Sequence, residues 1–233
     1  MFLIREKWGL LSFIVFAASA LVLICWFVTD FHGEQEYRHM IRVSVRSAWP
    51  LLMMVFVASS LVRLNPGKSS AWLLRNRKYI GLAFSAIMLW QILFIFLLIR
   101  TGATLFPPGP AALFIVSDLI GNTLLLLMTV TSFDKFKHKL TPNVWKRLHK
   151  TGIYYIWAIY LYSWPIGIYF SRNDSTEVAG YSLLFFVTLT AGILRLVAWR
   201  KANKRISNEH ENNIDWRWPS PCKLVHAWLI NFP

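Results

Sequence analysis

Six stretches of roughly 20 apolar residues recur along this chain, at 9–29, 45–62, 79–99, 111–132, 151–170 and 178–199. About 20 helical residues cross the ~30 Å hydrocarbon core of a bilayer. In lipid every backbone N–H and C=O must be paired inside the fold, so a series of such stretches reads as helices and nothing else. The expected fold class is therefore an all-α integral membrane protein, a six-helix transmembrane bundle over residues 1–200 followed by a cytoplasmic tail, 201–233. Pro50 stands near the start of the second stretch, and Pro107, Pro108 and Pro110 lead into the fourth.

The charges then orient the bundle. Of the 25 Lys and Arg, five (Arg38, Arg42, Arg46, Arg100 and Arg172) fall on one side, and the other 20 fall on the side that holds both termini. Basic residues stay on the cytoplasmic face, so both termini are expected there, in a bacterial inner membrane. The net charge of +14 is accounted for by this bias, and nucleic acid is not needed as a partner. Cys25 lies inside the first stretch and Cys222 in the tail; neither has metal-ligand or disulfide-framework spacing. The first stretch is too long for the apolar region of a signal peptide and no A-x-A-like site follows it, so no cleavable signal is expected.

Two basic-side loops carry helix-start signals. Ser69 and Ser70 precede AWLLRNRKY, and Thr141-Pro142 precedes NVWKRLHK with proline at the first helical position. Trp72 and Trp145 are expected at the headgroup level as anchors. The aromatic, proline-broken end of the tail is too short to span and reads as lying on the interface or docking on the helices.

Polar groups inside the stretches are the candidates for chemistry. Asp118 and Asn122 are four residues apart on one helical face, and Thr129 extends the stripe. Arg46 and Arg100 end neighbouring stretches on the same side, so an Asp118–Arg46 or Asp118–Arg100 ion pair is one reading and proton or ligand handling the other. Arg195, near the basic end of the sixth stretch, reads as snorkelling to the headgroups. Gln91 stands halfway along the third. None of His32, His39, His138, His149, His210 and His226 lies at mid-depth.

Four segments, SAWPLLMMVFVASSLVRLNPG, LLRNRKYIGLAF, VTSFDKFKHKL and LTPNVWKRLHKTGIYYIW, together resemble the ferric-reductase-like transmembrane domain family over about residues 45–200. Arg75, Arg77, Gly81 and Leu82 fit its basic-then-GL opening of one span. Trp145, Arg147, Leu148, His149 and Tyr154 or Tyr155 fit its W-(K/R)-x-LH-x-x-x-Y opening of another. The family includes the haem-bearing membrane partner of the periplasmic methionine-sulfoxide reductase. The resemblance implies a six-helix core carrying b-type haem between histidines of two helices. Here Gln91 stands where the family pattern expects one ligand and Tyr162 where it expects another, leaving His149. Glutamine and phenol are poor axial ligands for a low-spin b haem. Met88 and His149 are offset by about 16 Å along the membrane normal at 1.5 Å per residue, too far for one iron. The Gln91 amide is then expected to bond a neighbouring helix, and the pair Gln91→His, Tyr162→His to be the change that restores haem binding.

Two functions follow from the resemblance. One is a transmembrane electron-transfer component using haem, flavin or quinone; without a GxGxxG fingerprint or flavin domain in the sequence it depends on a separate donor. The other is a haem-free scaffold or partner subunit of a membrane complex. A transporter is disfavoured because no internal repeat is seen. Reporter fusions at the loop around Arg172 and just after Lys204 are expected to report opposite sides of the membrane; the same side for both would show the span count to be wrong.

Overall fold

The computed structural model describes residues 2–28, 33–102 and 111–212, with side chains for 8–28, 33–102 and 115–204. The prolines before the fourth stretch, His32, Cys222, His226 and the aromatic end of the tail lie outside the described residues. Helices account for the fold: α1 Phe2–Val28, α2 Glu34–Leu64, α3 Lys68–Arg100, α4 Ala111–Thr131, a single turn α5 Asp134–Lys137, α6 Pro142–Phe170 and α7 Ser175–Asn212. No strand occurs among the described residues. Each expected stretch falls on one long helix. Four of these, α1, α2, α3 and α7, are long and apolar enough to cross a membrane. The helix α7 runs on through 201–212, so the polar segment expected to open the tail continues the last helix.

Local chemistry sets the helix starts. Thr141 caps α6 by accepting from the Val144 N–H at 3.4 Å, with Pro142 in the first turn where its missing donor costs nothing. Gly67, rather than Ser69, is the N-cap of α3. Ser70 serves that cap from inside the helix, accepting from the Gly67 N–H at 3.0 Å and donating to the Asn65 carbonyl at 2.9 Å. Asp174 opens α7 by accepting from the Thr176 and Glu177 N–H groups.

Large apolar side chains face outward on every long helix: Phe16 is 75% exposed, Leu119 65%, Phe170 62% and Leu183 65%. In water such a surface would drive association; against lipid tails it costs nothing. Helix association in lipid rests instead on close packing and interhelical hydrogen bonds. Both are present. A Cβ at Gly192 would lie 2.5 Å from the Trp157 ring, and one at Gly167 2.7 Å from the Tyr181 ring, so α6 and α7 meet nearly backbone to side chain. Fully buried Thr188 on α7 gathers three indoles. Its hydroxyl oxygen accepts from Trp49 Nε1 at 2.9 Å and Trp164 Nε1 at 3.1 Å, and its carbonyl accepts from Trp157 Nε1 at 3.0 Å. The hydroxyl donates its own proton to the Leu184 carbonyl at 2.7 Å. This node ties α2, α6 and α7 together. The interior around it holds Leu52, Phe56, Ile80, Ile87, Tyr160 and Trp164. Trp90 Nε1 to Ser19 Oγ at 3.0 Å joins α3 to α1, and Thr129 Oγ1 to Ser85 Oγ at 2.8 Å joins α4 to α3.

Thr188→Val keeps the shape and strips two indole donors of their acceptor. It is expected to lower detergent-solubilised stability by about 1–2 kcal/mol, between the mean membrane hydrogen bond and the cost of orphaned buried donors. Thr190→Val, on the exposed face, should cost little; equal shifts in melting for the two would show that the node carries no special weight.

Candidate functional site

On the side where the basic residues collect, α2, α3, α4, α6 and α7 diverge around a cavity of about 460 Å³, a volume within the usual range for a small-molecule site. Its floor is apolar, built from Leu52, Val55, Phe84, Leu125 and Ile156, and its middle band carries Ser59, Ser60, Ser85, Thr129 and Ser132. Its rim is basic: Arg63, Arg77, Lys146, Lys150 and Arg195 border it, and no carboxylate does among the described residues. Two segments singled out in the sequence supply part of this rim: Arg77 is the second arginine before Gly81-Leu82, and Lys146 and His149 belong to the WKRLH segment.

Arg195 does not snorkel to the headgroups as expected. Its guanidinium turns inward, donating to the Phe56 carbonyl at 2.9 Å and lying 4.6 Å from the Phe56 ring centroid and 4.4 Å from that of Tyr154. A second lone pair on a helical carbonyl and two ring faces hold the cation better than an exposed position would. His149 stands just before the apolar stretch of α6. Its Nε2 is 3.1 Å from Thr131 Oγ1, and its ring lies 4.3 Å from that of Trp145, whose Nε1 donates to the Thr131 carbonyl at 3.0 Å. Burial, and then the nearby Arg77 cation, push His149 down to about 4, so it is neutral at physiological pH.

The residues at the expected ligand positions do not converge. Tyr160, not Tyr162, faces α3: its hydroxyl donates to Met88 Sδ at 3.6 Å and lies 3.4 Å from the Val45 carbonyl. Two residues further, a rotation of about 200°, Tyr162 turns to α4, sharing the surroundings of Ser117 and Asp118. The paired change Gln91→His, Tyr162→His would therefore set its imidazoles on different interfaces. The carbonyl Oε1 of Gln91 is buried with no hydrogen-bond partner among the described residues, contrary to the expected interhelical bond. The donor opposite α3, Tyr160, is committed to Met88 and Val45, and the polar contact of α3 with α4 is made lower down by Ser85. Around the cavity, His149 and Met128 lie on the α4–α6 side, while Gly81 and Ser85 form the α3 wall. Among the described residues no strong axial ligand stands opposite His149, so the side chains described do not fit a two-ligand b haem. No cluster of three His, Cys, Asp or Glu suited to a metal ion occurs among the described residues.

At the opposite face the expected Asp118 pairing is replaced. Arg46 pairs with Glu177 across α2 and α7, with its Nη1 3.3 Å from Oε1, and lies 4.5 Å from the Tyr181 ring centroid. Glu177 lies in the first turn of α7, close to Arg46, and takes the cation that the sequence offered to Asp118. Arg100 lies over the Phe96 ring at 5.3 Å on its own helix. Asp118 and Asn122 are half-buried on α4, with no ion pair among the described residues.

No protein-family model, curated protein or solved structure matches the chain.

A histidine depressed in the fold binds its proton more readily when unfolded, so stability falls as pH drops from about 6.5 towards about 4. Melting temperature is expected to decline over that window, and His149→Gln should flatten this part of the curve. An unchanged pH profile in the variant would show that His149 is not the group responsible.

Proposed function

We propose that the chain is a six-helix integral membrane subunit with both termini cytoplasmic, in a bacterial inner membrane, that keeps a ferric-reductase-like frame and works as a haem-free scaffold or partner of a membrane complex. The observation that carries this reading is the separation of the would-be ligands: Tyr160 occupies Met88, Tyr162 turns to α4, and Gln91 points a bare carbonyl into the bundle. The six-span topology is supported by the 20-to-5 division of basic residues and by the match of each apolar stretch to one long helix. The bilayer is the first partner, and the basic rim gives a second subunit or a soluble redox protein a cytoplasmic face to meet.

A second reading, a transmembrane electron-transfer component fed by a separate donor, is favoured by one observation. His149 is a neutral imidazole at the edge of the cavity, and a neutral imidazole is the form that binds metals.

The optical spectrum of protein expressed with ample haem and purified in mild detergent separates the two. The haem-free reading expects no stoichiometric Soret band. A full-occupancy band with the features of two-histidine ligation would overturn it, and a high-spin band lost in His149→Ala would favour the second reading.

A further inference from the structure

Two arginines share the cavity without a counter-charge. Among the described residues Arg77 has no carboxylate partner, and Arg195 is met by the Phe56 carbonyl, the Tyr154 side chain and two ring faces, none of them a carboxylate. The two are near enough to act on each other electrostatically. Asp134 is taken by Lys78, another residue of the rim, at 3.5 Å. Arginine keeps its proton under all ordinary conditions, so these half-buried cations stay charged, and the described residues offer them no carboxylate.

The cavity indicates the partner that suits them. A small hydrated anion would satisfy the rim and leave the apolar floor wet. A ligand with a phosphate at one end and a hydrocarbon chain at the other satisfies both. Guanidinium forks match phosphate oxygens in pairs, and basic pockets between transmembrane helices on the cytoplasmic side are where anionic headgroups bind. The contact between α3 and α4 is sparse beside that between α2 and α3, which leaves a side through which a chain can pass.

We propose that this cavity binds an anionic phospholipid of the cytoplasmic leaflet, its phosphate between Arg77 and Arg195 and an acyl chain along Leu52, Val55 and Phe84. The proposal rests on the orientation and the haem-free cavity of the reading above.

The test is native mass spectrometry of the full chain in detergent, titrated separately with phosphatidylglycerol, phosphatidylcholine and inorganic phosphate, with visible absorption recorded on the same preparation. Phosphatidylglycerol is expected to bind at least about tenfold more tightly than phosphatidylcholine, and to resist displacement by inorganic phosphate. Arg77→Gln and Arg195→Gln should each weaken it about fivefold, the effect of one cation near an anionic headgroup. Gly81→Leu is a second route: a Cβ there meets only Val55 Cγ2 at 3.9 Å, so the new side chain grows into the cavity without straining the helix, and it should also lower binding. Equal retention of the two lipids, or unaltered phosphatidylglycerol binding in Arg77→Gln and Gly81→Leu, would overturn the proposal. Displacement by inorganic phosphate would also overturn it, in favour of a free-anion site. A haem band strikes at the haem-free reading, whereas missing phospholipid without haem strikes at this inference alone.

Discussion

Helices α2, α6 and α7 are organised around one threonine. A hydroxyl with two lone pairs and a backbone carbonyl with one to spare let Thr188 accept from Trp49, Trp157 and Trp164 while still donating to Leu184. In hydrocarbon an indole N–H has no water to fall back on, so each of these tryptophans is fixed in direction as well as in depth. Fixing Trp164 and Trp157 fixes the phase of α6, and the phase of α6 decides which of its tyrosines looks at α3. The placement of Tyr160 against Met88 is thus a downstream effect of a contact made by a different helix.

The same packing explains where the structure is closed and where it is open. Gly167 and Gly192 bring α6 and α7 together against aromatic rings, and large side chains fill the interior at that level. Towards the basic face the facing positions shrink to Ser59, Ser60, Gly81, Ser85 and Ser132. Small residues in line around a bundle leave either backbone contact or a void. Here they border the void, with Arg77 and Arg195 at its rim.

Much of this was legible in the residues. Apolar length alone placed all six long helices, because 20-residue windows are a coarse and strong signal, and Thr141-Pro142 marked the start of α6 to the residue. The rim of the cavity was partly visible too, in Arg77 and His149. Rotation about helix axes was not legible. Tyr160 and Tyr162 differ by only about 3 Å in depth, and which one faces α3 depends on contacts between distant parts of the chain. Arg46 found Glu177 rather than Asp118 because Glu177 stands at the start of the sixth stretch, level with Arg46 at the start of the second, whereas Asp118 lies about 10 Å into the fourth at 1.5 Å per residue. Thr188 gave no sign of its importance, being one of several threonines in apolar surroundings.

Helix α7 carries a mechanical consequence. It is one uninterrupted rod of 38 residues, about 57 Å long at 1.5 Å per residue, far more than a bilayer core requires. It is clamped near its start by Glu177 and about a third of the way along by Thr188, and it forms one wall of the cavity through Arg195 before running on to Asn212. Asn212 lies about 36 Å beyond Thr188 along that axis. A pivot of ~5° at the threonine node would therefore sweep the C-terminal end through about 3 Å while shifting Arg195 by less than an ångström. The cavity wall at Arg195 and the last turns of the helix thus share one continuous axis.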